Sequence, residues 1–145
     1  MDQLGSFKLT SGEKEHILMC LDYITKHVEA ASVTDTTSAL VVEFINENIH
    51  FRHGGSTRII SDHGTAFSSH LMEEKRKSGK RITCWMVEHP KTSGLVENRM
   101  ITQALSGYVN TNHDDWDWHL PAAVFSINTV QQSTIEISPF QLEYG

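Results

Sequence analysis

Two apolar runs set almost back to back constrain this chain more than any other feature. Residues 16–23 read HILMCLDY and residues 27–33 read HVEAASV, with only Ile-Thr-Lys between them. Both runs are strand-like, and so short a gap leaves no room for a crossover, so they predict a β-hairpin. A hairpin this apolar has to be covered by further elements.

The remaining sequence supplies the cover. Asp35 or Thr36 is placed to cap a helix, and Leu40, Val41, Phe44, Ile45 and Ile49 fall on one face of its period of about 3.6 residues. Gly54-Gly55 should end that helix. TRIIS (57–61) reads as a short buried strand that delivers Asp62 at its C-terminal end, where open α/β sheets bind ligands. A helix is expected over 68–78, although EEKRKS leaves its second half without an apolar face. RITCWMV (81–87) reads as another strand, followed by the loop EHPKTSG.

A further helix is expected from about Leu95 to Val109, with Val96, Met100 and Ala104 as its stripe and Ile101, Leu105 and Tyr108 adjacent. DDWDW opens the last helical region, where Trp116, Leu120, Ala123, Val124 and Ile127 recur at helical spacing. Pro121 suits a first turn and would disturb an interior. This order of elements predicts one α/β domain, a mixed sheet with helices on both faces.

The chain has 145 residues, which suits one domain with one core. No apolar run approaches the roughly eighteen residues of a membrane span, and MDQLGSFKLT lacks the features of a signal peptide, so an intracellular protein without membrane contact is expected. Cys20 and Cys84 sit inside apolar runs and read as buried thiols. Nine scattered histidines without a Cys-x-x-Cys partner argue against structural zinc. The net charge of −6 disfavours strong non-specific nucleic-acid binding, while the basic residues gather in EEKRKSGKR (73–81).

Asp62 gains meaning only with partners, because paired catalytic metals need about three converging carboxylates. Glu97, in HPKTSGLVEN, falls in a first helical turn, where an acidic residue also favours the helix dipole. Asp22, at the end of ILMCL, and Asp2, in MDQLGSF, both compete for the third place. Spacing and periodicity do not choose between them.

The blocks DQLGSF (2–7), ILMCLDYITKHVEA (17–30), RIISDHGTAF (58–67), HPKTSGLVEN (89–98), WDWHLPAAVFSINT (116–129) and SPFQLEYG (138–145) resemble, in order and spacing, the integrase catalytic core of gypsy-type long-terminal-repeat retrotransposons. The resemblance runs over almost the whole chain. It implies a ribonuclease H-like α/β fold, a five-stranded mixed sheet flanked by helices. It also implies an Asp…Asp…Glu triad, here Asp2, Asp62 and Glu97, holding two Mg²⁺ (or Mn²⁺) ions. Asp22 then becomes a supporting or structural residue. Lys91, Thr92 and Ser93 become candidate DNA-phosphate contacts.

The implied activity is DNA integration: 3′-end processing followed by strand transfer, with retroelement ends and target DNA as partners. Assembly as a homo-oligomer and a place in the nucleus are implied by the same resemblance. Residues 1–145 are expected to be the core alone, with its first strand shortened and the family's zinc-binding and C-terminal domains absent. The chain departs from the family in four places. The first strand is short, one residue fewer separates Asp62 from Glu97, Glu88 and Asn98 stand where tyrosine and arginine are usual, and the helix after Glu97 is shortened. These departures give the alternative expectation of an inert integrase relic, acting at most as a nucleic-acid or protein-interaction module.

Overall fold

The computed structural model describes residues 2–4, 7–54, 58–61, 83–86, 93–109 and 114–145, and leaves aside the side chains of 2–4, 58, 60, 61, 83–86 and 93–98. The expected helix over 68–78 lies outside the described residues.

The hairpin forms as β2 (His16–Leu21) and β3 (Val28–Val33), paired antiparallel from His16↔Val33 to Leu21↔Val28. β1 (Asp2–Leu4), short as it is, pairs antiparallel along the other side of β2, with Asp2↔Met19, Gln3↔Leu18 and Leu4↔Ile17. The central strand is therefore β2 in the order β1-β2-β3. β4 (Arg58–Ser61) and β5 (Thr83–Met86) form a parallel pair. Both hands of pairing are thus present. Among the described residues the five strands make a three-stranded and a two-stranded sheet.

Alternation along β2 explains why HILMCL is apolar throughout. Ile17 and Met19 enter one core cluster, and Leu18 enters another on the opposite face. Leu18 and Val33 pack with Val41, Phe44 and Ile45 from α1 (Ser38–Phe44) and its continuation, and with Ile59 of β4. That shared cluster joins β4 to the body of the sheet.

α1 starts later than expected. Asp35 spends its carboxylate on the amide of Thr37 (2.8 Å), so Thr37 becomes the N-cap, without a side-chain cap bond of its own. The helix then widens to a π-helical stretch at Ile45–His50, where Asn48 Nδ2 donates to the Phe44 carbonyl (3.2 Å). Helical geometry resumes in α2 (Phe51–His53) and stops at Gly54, whose φ of 77° is the left-handed cap that glycine favours.

On the other face, α3 (Ser93–Ser106) and α4 (Trp116–Thr129) cover Ile17, Met19 and Val28. Among the described side chains of α3, Ile101 and Leu105 are buried and Met100 and Ala104 only partly so, while Tyr108 beyond it is exposed. The core-facing stripe is thus turned by one residue from the expected one. In α4, Trp116, Leu120, Ala123 and Ile127 are buried as expected. Pro121 lies inside α4, in its second turn, where it has no amide to offer the Asp117 carbonyl.

The start of α4 is fixed by the loop between β1 and β2. Trp116 Nε1 donates to the Lys8 carbonyl (2.9 Å), and its ring lies 5.1 Å from that of Phe7. Thr10 Oγ1 donates to Asp117 Oδ2 (3.0 Å), and a Cβ on Gly12 would stand 2.9 Å from the same oxygen, so glycine permits the approach. The last turn of α4 is fixed by Asn128, whose side chain accepts from the Val28 amide and donates to the Val28 carbonyl, both at 2.8 Å.

A final helix, α5 (Pro139–Tyr144), is not anticipated by apolar periodicity. Ser138 and Gln141 form a capping box around it, with Pro139 in its first turn.

Replacing Asn128 with alanine would leave a buried amide and a buried carbonyl of Val28 unpaired. Urea unfolding should show a loss of roughly 2–4 kcal/mol, larger than for a surface substitution.

Candidate active site

Asp2 lies in β1, directly opposite Met19 in the ladder. Met19 is buried in the cluster that contains Ile101 of α3. Glu97 stands on α3 one helical turn before Ile101. The strand that carries Asp2 is thus paired to β2, and β2 shares a core cluster with the helix that carries Glu97.

Asp62 lies outside the described residues. It directly follows Ser61, the last residue of β4, and Ile59 of that strand is buried against Leu18 and Val33. Lys91 and Thr92 also lie outside the described residues, as do Glu88 and the loop around it. Ser93 is the first residue of α3. Asn98 is within the same helix.

Asp22 is fully described, and its bonds run to its own turn. Its Oδ1 accepts from the Ile24 amide (2.9 Å), the Thr25 amide (2.7 Å) and the Thr25 hydroxyl (3.1 Å). Its amide donates to the His27 carbonyl (2.9 Å), and its carbonyl accepts from Lys26 (3.0 Å), which adopts a φ of 61°. Six residues, 22–27, thus connect the strands, rather than the expected three. Partial burial pushes the Asp22 carboxyl pKa up, but the donations from Thr25 and Ile24 outweigh it and hold it below the ordinary aspartate value.

Among the described residues no group of three or more His, Cys, Asp and Glu side chains is arranged to hold a metal ion. Cys20 is a half-buried thiol. No helix of the described residues is long and apolar enough to cross a membrane. One polar cluster has no counterpart among the sequence motifs: Glu29, His53 and Glu143, brought together from β3, α2 and α5. Its residues are far apart in the chain, and Glu29 is the one charged residue of β3.

No family model matches the chain. Along its whole length it is 25% identical, over 149 aligned positions, to the retrovirus-related Pol polyprotein from transposon 412 of Drosophila melanogaster, of which it spans 12%. Among solved structures, the fold is similar to the catalytic core domain of BIV integrase (TM-score 0.66, 22% identity, 88% of this chain and 84% of that one). It is also similar to the HTLV-2 integrase catalytic core in complex with magnesium, a trimeric form (TM-score 0.72, 16% identity, 99% and 94%). A third similarity is to a chain of the simian T-cell lymphotropic virus intasome in complex with the PP2A regulatory subunit B56 gamma (TM-score 0.72, 19% identity, 99% and 53%).

Asp22→Ala should lower stability by about 1 kcal/mol through loss of the turn bonds, as measured by urea unfolding. Because the folded pKa is depressed, the wild-type advantage is present above the unfolded value of 3.8 and fades as pH falls through the lower folded value. The two proteins should converge in acid.

Proposed function

We infer that this chain, similar in sequence to a retrotransposon Pol polyprotein and in fold to integrase catalytic cores, has a role in DNA integration, as a gypsy-type core that cuts near the 3′ ends of retroelement DNA and joins them to target DNA. The observation that supports this reading is that β2 links β1 and α3: it pairs with β1 at Met19, and Met19 shares a core cluster with Ile101 of α3. Those two elements carry Asp2 and Glu97, and β4 leads directly into Asp62. In this reading the parallel pair β4–β5 and the antiparallel sheet are parts of one five-stranded ribonuclease H-like sheet.

Three carboxylates are hard oxygen donors, the chemistry that Mg²⁺ or Mn²⁺ prefers, so the proposed triad fits such ions. Two bound ions would supply a more acidic nucleophile and neutralise charge gathering at phosphorus. Asp2, Asp62 and Glu97 would hold and orient the ions. Lys91 offsets phosphate charge, and the hydroxyls of Thr92 and Ser93 donate to phosphate oxygens, which fixes the register of the DNA without reading its sequence. The partners are retroelement ends and target DNA, engaged by a homo-oligomer in the nucleus.

A second reading, an inert relic, draws on specific residues. Glu88 and Asn98, where the family usually has tyrosine and arginine, make the sequence block around Glu97 more negative than in the family, and the whole chain carries −6. Negative charge of this kind opposes phosphate binding.

A strand-transfer or disintegration assay in Mg²⁺ and Mn²⁺ decides between the two. The active reading expects joined product, reduced at least about a hundredfold by Asp62→Asn with the fold retained. Product of equal yield from Asp62→Asn would sink the proposed mechanism. Absence of product with both ions would establish the relic.

A further inference from the structure

The terminal block SPFQLEYG, which the integration chemistry does not use, is attached to the body through a histidine held between two carboxylates. His53, at the end of α2, places Nε2 2.9 Å from Glu29 Oε1 and Nδ1 3.0 Å from Glu143 Oε1. Glu29 belongs to β3 and Glu143 to α5. The three side chains are 19%, 11% and 22% exposed, so water screens their interaction only in part.

A neutral imidazole has one N–H, and its other nitrogen presents a lone pair. Two carboxylates on the two ring nitrogens are satisfied together only by the imidazolium. When the ring loses a proton, one carboxylate must face a lone pair. The neighbours determine which. Glu29 keeps Arg52, whose guanidinium reaches its Oε2 at 3.1 Å. No described cation besides His53 is seen bonded to Glu143, so Glu143 is the one released, which leaves α5 with Pro139 and the ring contacts of Phe140 with Phe125 and of Tyr144 with His27 to hold it.

We propose that His53 is a proton-operated latch that fastens α5 to β3 and α2 when charged and lets α5 swing away when neutral.

The groups around the ring agree with this assignment. From β3 come Glu29 and, just before it, the buried His27, whose ring meets that of His53 edge-on at 5.6 Å. From α5 come Glu143 and Tyr144, the latter edge-on to His27 at 5.6 Å. From α2 itself comes Arg52, and Asp22 acts on His27 from the turn before β3. Burial pushes the His27 pKa down against the pull of Glu143 and Glu29, so it gives up its proton more readily than a free imidazole. For His53, burial also pulls the pKa down, but the hydrogen bonds and charges of Glu29 and Glu143 outweigh it and raise it above 6.5. A base raised in this way contributes stability that is complete below 6.5 and is lost as pH climbs through the folded value. The latch therefore opens as pH rises through a folded value above 6.5.

Opening would uncover Pro139, now fully buried, and the His27 ring. The body should remain folded, because α4 is fastened through Asn128 and a buried apolar face, neither of which titrates in this range.

Hydrogen exchange on the whole chain, corrected for the intrinsic pH dependence of amide exchange, tests the latch. Between pH 6.5 and 9 the amides of α5 should lose protection by roughly tenfold while those of α4 and β3 hold. His53→Gln and Glu143→Gln should each abolish that pH dependence. The second substitution lies in the last turn of α5, where it leaves the core intact. The ring protons of His53, followed by NMR in the wild-type chain, should titrate with a midpoint above 6.5. A midpoint at or below 6.5, α5 protection that does not vary with pH, or the wild-type pH profile persisting in Glu143→Gln would each overturn the proposal.

Discussion

One side-chain amide does for β3 what another strand would otherwise have to do. β3 is the last strand of its sheet, and Val28 turns an N–H and a carbonyl outward from the ladder. Asn128 meets both at 2.8 Å from the final turn of α4. A buried amide left bare costs about as much as a lost hydrogen bond, so α4 can dock only where this pair closes. With Trp116 pinned to Lys8 at the other end, α4 is fixed at both termini before its apolar face is considered. α3 then packs in register against α4 and the sheet through Ile101 and Leu105.

The candidate carboxylates inherit their positions from this arrangement. Asp2 is set by the pairing of β1 with a strand buried on both faces, and Glu97 by a helix whose next turn is locked in the core. Sites placed on rigid elements hold their geometry better than sites placed on loops. The short β1 is a weaker element than the others, with three ladder positions. Its hold comes instead from the loop that leads on to β2, since Phe7, Lys8 and Thr10 all bond or pack against the start of α4.

How far the sequence can be read depends on the range of the interaction concerned. The hairpin strands, the buried stripe of α4 and the glycine stop at Gly54 are legible because period and local backbone preference specify them. The start of α1 differs from expectation because Asp35 bonds the Thr37 amide instead of capping the helix itself, a choice between two equally local options. The core face of α3 differs by one residue because stripes through Met100 and Ile101 look alike until the partner surface is known. α5 escapes the periodicity although Ser138, Pro139 and Gln141 spell a helix start, because a six-residue helix offers too little period to detect. Asp22 and Asp2 look equivalent in the sequence, since both end or occupy strands. What separates them is that Asp22 is turned back on Ile24 and Thr25. The Glu29–His53–Glu143 cluster joins residues 24 and 90 positions apart, and no local pattern reports such a meeting.

The two C-terminal helices are thus held by different physics. α4 is fastened by a neutral amide, an indole N–H and buried hydrocarbon, none of which changes charge near neutrality. α5 is fastened by a charged ring between two carboxylates, beside the buried Pro139 and the edge-on contacts of Phe140 with Phe125 and of Tyr144 with His27. An attachment made mainly of charge is specific in direction and contributes little once its proton is gone. Placing it on the short helix confines the response to that helix, because the elements bearing Asp2 and Glu97 depend on the other fastening. The positions of the candidate carboxylates and the attachment of α5 can therefore vary independently, although both are built on the same hairpin.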